Sequence, residues 1–224
     1  PVRKVLARRR GGFLMQDPVR ALAIVKEVIA AVPGVPVTVK LRRAFKEEDP
    51  DNAAFWAIAE GCFRLGVSAV CVHARSVECK YTGRADHAFL ADVKKAFPTE
   101  TIIGSGDALT AELAFNMPAA TGVDRVSIAR GVIGNPWIFD DLRTLAAGGK
   151  PQPPALDEQR RVLLEHYELE RKFFGDDKAW RRMRNFGIMY ARRHPHPREV
   201  RMAFVPVKSA EAWLKVIEDH YTRP

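Results

Sequence analysis

The sequence predicts a parallel α/β sheet followed by an all-helical module, and three observations carry that expectation. Short apolar runs alternate four times with helix-patterned segments at a spacing of about 30 residues, the pattern of parallel β/α units. The chemically distinctive residues Lys40, Arg42, His73, Arg75, Asp107 and Arg130 gather at the carboxyl ends of those runs. Past a Gly- and Pro-rich stretch the β pattern stops and only helical periodicity continues.

Residues 1–12 read as a basic loop. Asp17-Pro18 opens a helix, with Asp as N-cap and Pro at the first helical position. Leu22, Ile24, Val25, Val28 and Ile29 recur at helical spacing until Pro33-Gly34 ends it. The β-branched run 35–41 is the first strand, with Lys40 and Arg42 near its carboxyl end. A polar loop to Asp51 leads into a helix ending near Gly66, and the nearly continuous apolar run 67–73 is a strand buried on both faces. The loop 74–86 is long for a β-to-α connection and carries Arg75, Lys80, Tyr81 and Arg84. A helix over 87–97 follows, then a strand over 101–104 that runs into Ser105-Gly106-Asp107, then a helix from about Thr110.

Val126, Ser127 and Ile128 form the fourth buried strand, followed by the glycine turn Ala129-Arg130-Gly131 and a helix opened by Asn135-Pro136. Such a strand–turn–helix can build an anion pocket, because glycine lets the backbone approach a ligand and the helix start offers free N–H groups. It also occurs with no ligand, and the residues alone leave both readings open. In a (β/α)8 barrel the carboxyl rim holds the active site, and phosphate commonly sits after the last two strands. Both glycine turns here follow the last two strands. The expectation is therefore the C-terminal half of a (β/α)8 TIM barrel over 1–148, a linker over 149–155, and a small all-helical domain over 156–224.

In that domain, one helix is expected to 174 with Val162, Leu163, His166, Leu169 and Phe173 on one side. A second over 178–193 turns Trp180, Met183, Phe186, Met189 and Tyr190 inward and its arginines outward. Ser209 caps a final helix whose apolar set is Ala212, Leu214, Val216 and Ile217.

Composition narrows the function. With 224 residues, 47% hydrophobic and 28% charged, the chain is globular, and no apolar run approaches the ~20 residues of a membrane span. No signal peptide is recognisable, so neither membrane nor secretion is expected. Cys62, Cys71 and Cys79 lack metal-ligand spacing; free thiols in a reducing cytoplasm and no metal are the expectation. The net charge of +9 is concentrated in the first ten residues and between Lys178 and Ala203, where eight cations face one acid, Glu199. Such a surface suits a polyanion such as nucleic acid, and is otherwise a solvated face.

Six segments together resemble the tRNA-dihydrouridine synthases, over essentially the whole chain. They are Pro1-Val2-Arg3-Lys4-Val5, Leu14-Met15-Gln16-Asp17-Pro18, Val37-Thr38-Val39-Lys40-Leu41-Arg42, and Val72-His73-Ala74-Arg75 with Tyr81-Thr82-Gly83-Arg84-Ala85-Asp86. The last two are Gly104-Ser105-Gly106-Asp107 and the run from Ala129 through Asn135-Pro136 to Phe139. The resemblance implies an FMN barrel with a helical tRNA-binding domain, in which NADPH reduces the flavin, hydride passes to C6 of a uridine, and a cysteine protonates C5.

On that basis Lys40 lies against the N1/O2 edge of the flavin, where negative charge accumulates on reduction. His73 contacts FMN or the target base, and is otherwise a structural rim histidine. Ser105, Gly106, Asp107, Ala129 and Arg130 cradle phosphate and ribitol, largely through backbone N–H groups. Arg42 and Arg75 meet either flavin or RNA, and Arg181, Arg182, Arg184, Arg192, Arg193 and Arg198 are candidates for gripping the RNA backbone around an extruded base.

The family's general acid would directly precede Pro1, so no residue of this chain is expected to fill that role. Ser105 stands where the family usually has Asn, and Ala129 where it usually has Gly. The chain opens without an initiator methionine and is expected to be a fragment or a truncated product of a protein that is monomeric at full length. The alternatives are a non-catalytic RNA-binding remnant and another FMN- or phosphate-binding barrel that never meets RNA.

Overall fold

The computed structural model describes residues 2–49 and 51–222. Pro1, where the expected segment after the general acid begins, lies outside them. By compactness the chain divides into two units, Pro1–Ile128 and Ala129–Pro224.

The first unit opens on a short helix, α1 (Arg3–Leu6), and a 3₁₀ stretch, Gly11–Gln16, where a loop was expected. The basic side chains hide helical order here, because the turn needs only local backbone bonds such as Leu6 N–H to Val2 O at 3.1 Å. Helix α2 (Pro18–Ala31) begins as its sequence requires: the Asp17 carboxylate accepts from Arg20 N–H at 3.1 Å, and Pro18 occupies the first turn. Then come β1 (Thr38–Arg42), α3 (Ala53–Arg64), β2 (Ala69–His73), α4 (His87–Ala96), β3 (Ile102–Ser105), α5 (Ala111–Thr121) and β4 (Arg125–Ser127). Asp86 and Thr110 cap α4 and α5 by accepting from Phe89 N–H and Leu113 N–H. β1 starts later than the apolar run because Pro36 has no N–H to give a ladder.

All pairings are parallel and the sheet order is β1-β2-β3-β4. The register aligns Leu41, Val72, Gly104 and Val126 in one row. That row faces the helices: a Cβ on Gly104 would stand 3.0 Å from both Met117 Sδ and a Val123 methyl. The opposite face carries Lys40, Cys71, Ile103 and Arg125 in one row, and Arg42, His73, Ser105 and Ser127 in the next row toward the carboxyl ends. β2 is buried throughout, as its continuous apolar pattern demands. β4 is not: Arg125 is exposed and Val126 and Ser127 are half-buried. It is an outer strand, paired on one side only among the described residues.

The second unit starts with a 3₁₀ turn, Arg130–Val132, and α6 (Ile138–Ala146), which opens two residues after Pro136. Residues 149–155 have neither helix nor strand. Four helices follow: α7 (Leu156–Phe174), α8 (Asp176–Tyr190), α9 (Pro197–Phe204) and α10 (Ala210–Tyr221). Their core gathers Leu163, Tyr167, Met183, Tyr190, Phe204, Trp213, Ile217 and Tyr221, with Tyr167 stacked on Trp213 at 4.6 Å. Helices α8 and α9 touch at Gly187, where a Cβ would lie 2.7 Å from the Phe204 ring.

Three expected core assignments change. Leu169 and Phe173 are 47% and 71% exposed, while Tyr167 and Glu170 of the same helix are buried. The buried face of α7 thus runs Leu163–Tyr167–Glu170, with a carboxylate tolerated inside because Arg182 is hydrogen-bonded to it. In α10 Leu214 is exposed and Trp213 is fully buried. Helix α9, unread in the sequence, is a short arginine-rich segment that buries only Val200 and Phe204.

Candidate functional site

The carboxyl ends of β1, β2 and β3 bring Arg42, His73 and Ser105 into one register row, with Lys40 two residues below on the same face. Lys40 is exposed, and its Nζ lies 3.2 Å from Cys71 Sγ, its register partner on β2. His73 is 9% exposed and packs edge-on against Tyr81 at 6.4 Å between centroids. The Arg42 guanidinium stands 5.7 Å from the Tyr81 ring centroid, and its Nη1 donates to Ser76 O at 3.0 Å and Lys80 O at 2.8 Å. Arg42 therefore fastens the 76–81 turn over the strand ends. Tyr81, not singled out as a site residue from sequence, joins Arg42 to His73; an aromatic in a long rim loop was its only signal.

After β3 the chain turns through Gly106 at φ +124° and Asp107 at φ +56°. Gly106 admits no side chain, since a Cβ would sit 2.7 Å from the Ala85 Cβ. Ser105 is 3% exposed. Arg75 is buried and turned onto this bend: its Nη2 donates to both carboxylate oxygens of Asp107 at 2.7 Å and to Gly83 O at 2.7 Å, and its Nε to Thr82 O at 3.3 Å. Asp107 also accepts from Ala85 N–H at 2.7 Å. The Arg75–Asp107 pair thus latches the 74–86 loop to the turn after β3. Both side chains shape that turn.

In the second unit, Ala129 is exposed and Arg130 half-buried at the 3₁₀ turn, and Gly131 is buried. The arginine candidates separate by partner. Arg182 pairs with Glu170 and lies 4.1 Å from the Phe174 ring centroid; Arg193 pairs with Asp141 at 3.2 Å. Both are committed to holding the unit together. Arg181 lies over the Trp180 ring at 5.2 Å, and Arg184 is half-buried. Arg192 and Arg198 are exposed and, with Arg201, line a cavity of about 270 Å³ bounded by Ile188, Met189 and Pro197. No acid lines it. Arg201 was missed, although its spacing from Arg198 places both on one helix face.

Burial pushes the Cys62 thiol up to about 11, so it stays protonated near neutrality. Hydrogen bonds from Cys79 and Ser76, with the Arg43 charge, hold the Glu47 carboxyl below its ordinary range. Burial lowers the pKa of His166 and of His194. Among the described residues no cluster of His, Cys, Asp and Glu can hold a metal ion, and no helix is long and apolar enough to cross a membrane.

Comparison with known proteins agrees with these motifs. A family model described as dihydrouridine synthase (Dus) matches residues 1–223. The chain is 33% identical over 222 residues to tRNA-dihydrouridine synthase B of Xanthomonas campestris pv. campestris, covering 99% of this chain and 65% of that protein. It is 35% identical over 215 residues to a probable tRNA-dihydrouridine synthase of Mycobacterium leprae, covering 94% and 55%. With tRNA-dihydrouridine synthase B of Shewanella oneidensis the identity is 31% over 229 residues, covering 99% and 67%. The chain spans between 55% and 67% of the length of these relatives.

Proposed function

The chain belongs to the dihydrouridine synthase family, and we propose that it forms the cofactor-holding and RNA-gripping part of a tRNA-dihydrouridine synthase working in the cytoplasm. In this reading β1 to β4 are the last four strands of an eight-stranded barrel, and the helices after 155 are the RNA-binding domain. The observation that carries the proposal is the row Arg42, His73 and Ser105, with Lys40 below it, at the carboxyl ends of parallel strands.

These residues fit FMN. The bend after β3 passes through Gly106 at φ +124° and keeps its shape through the buried Arg75–Asp107 latch, and a glycine turn of this kind is one from which backbone N–H groups hold a phosphate. Lys40 presents a flexible cation on the sheet face, next to a soft thiol and, among the described residues, with no carboxylate partner. Bound FMN, with NADPH as its reductant, would supply the hydride chemistry at C6 of uracil. Lys40 would supply the positive charge that favours a reduced flavin. His73 and Arg42 orient what enters above the rim, and Tyr81 keeps both in place. Ala129 and Arg130 begin the second unit, and their part in holding FMN rests on the sequence resemblance. Arg192 and Arg198 grip RNA phosphates, joined by Arg201.

The test is a fluorescence titration of the chain with FMN beside a filter-binding assay with bulk tRNA. FMN should bind and Lys40→Ala should weaken it about tenfold, the cost of one charge-assisted contact. A chain that binds tRNA but never FMN would contradict the flavin reading.

A further inference from the structure

A cavity of about 410 Å³ lies between the loops that leave β1 and β2, and the reading above makes no use of it. Arg43, Glu47, Arg75, Cys79, Arg84 and Asp86 are among the residues that line it. Two of these residues each keep one guanidinium nitrogen without an acceptor: Arg43 Nε and Arg75 Nη1 are buried and make no hydrogen bond among the described residues. Arg75 is only 4% exposed, so solvent does not discharge its leftover N–H. Buried donors are rarely left so, and on a cationic group the cost is larger.

The carboxylates in the wall are already committed. Glu47 takes Arg43 Nη2 at 2.9 Å, and Asp86 accepts Phe89 N–H at the head of α4 at 3.0 Å. Arg84 is exposed and unpaired among the described residues. Three guanidinium groups therefore meet around one concavity, and two of them carry donors that no protein acceptor satisfies. An acceptor with several oxygens and negative charge is what the wall lacks, and phosphate has that shape and charge.

We propose that this cavity is a phosphate-binding subsite, separate from the bend after β3, that takes the phosphate group of a nucleotide reaching the strand ends. Arg43 and Arg75 supply the fixed donors and Arg84 closes over the anion. The subsite stands whether or not the chain binds FMN. Two sources bring such a group to the rim: a phosphorylated mononucleotide such as the adenosine 2′-phosphate end of NADPH, or the backbone of RNA.

Isothermal titration of the chain with inorganic phosphate, adenosine 2′-monophosphate and 5′-phosphorylated UpU tests it, on wild type, Arg43→Ala and Arg84→Ala. Saturable phosphate binding should weaken about tenfold in each variant, the loss of one charge-assisted contact. Circular dichroism should stay unchanged. Arg84 is exposed, so its variant remains informative if Arg43→Ala fails to fold. Tighter binding of the 2′-monophosphate assigns the subsite to a mononucleotide, and tighter binding of the dinucleotide assigns it to RNA. Phosphate affinity equal in wild type and Arg84→Ala, or no saturable binding, overturns the proposal. FMN titration of the same proteins separates this outcome from failure of the flavin reading.

Discussion

Replacing Arg75 by Met tests whether the 74–86 loop and the turn after β3 are one latched unit. The substitution keeps the apolar stem and removes the bonds from Nη2 to Asp107 and Gly83 O and from Nε to Thr82 O. The Arg75 side chain is 3% exposed and that of Asp107 25%, so solvent replaces little of what is lost. Hydrogen bonds to charged groups are each worth about 1.5–3 kcal/mol. Removing the unsatisfied Nη1 returns about 1–3 kcal/mol, the burial penalty it carries. Three such bonds lost, less that return, leave a net cost of about 3–5 kcal/mol, the range for breaking a buried ion pair. For a chain of this length each kcal/mol moves the thermal midpoint by about 2–4 °C, giving a drop of about 6–20 °C. Melts followed by circular dichroism on Arg75→Met, Asp107→Asn and the double variant would show it, with a coupling of about 2 kcal/mol between the sites. Single variants that melt like wild type, or strictly additive losses, would refute the latch.

Gly106→Ala should cost about 1–3 kcal/mol, because φ +124° and the Ala85 Cβ leave no place for the methyl; an unchanged melt would contradict the geometry. His194 donates from Nε2 to His220 O and accepts at Nδ1 from His196 N–H, both at 2.9 Å, and burial lowers its pKa. A group kept neutral in the fold contributes stability above its ordinary value near 6.5 that is lost as pH falls. The melting temperature should therefore drop as pH falls below about 6.5, and an NMR titration should place His194 below free histidine. Neutralising Arg192, Arg198 and Arg201 together should lower the salt-dependence slope of tRNA binding by about 2–3, read by filter binding at a series of salt concentrations; an unchanged slope would remove that cavity from the RNA contact.

Much of this was legible in the chain because parallel strands leave a strong mark. The runs ending at Lys40-Leu41, His73 and Gly104 are strands, Asp17 caps the helix it precedes, and a helix begins beside Thr110. The rim residues could be placed by strand polarity alone. What stayed hidden depends on partners distant in sequence. Nothing local says that Arg75 turns onto Asp107, 32 residues on, or that Arg182 and Arg193 are spent on Glu170 and Asp141. Helical periodicity likewise could not tell Trp213 from Leu214, since both lie near the apolar edge and only packing against Tyr167 decides.

The most direct measurement is mass spectrometry of tRNA from cells in which the gene encoding this chain is deleted. Dihydrouridine should disappear from at least one tRNA position, and the wild-type gene should restore it while a Lys40→Ala copy should not. Dihydrouridine present at every position after deletion, or full restoration by the Lys40→Ala copy, would contradict it.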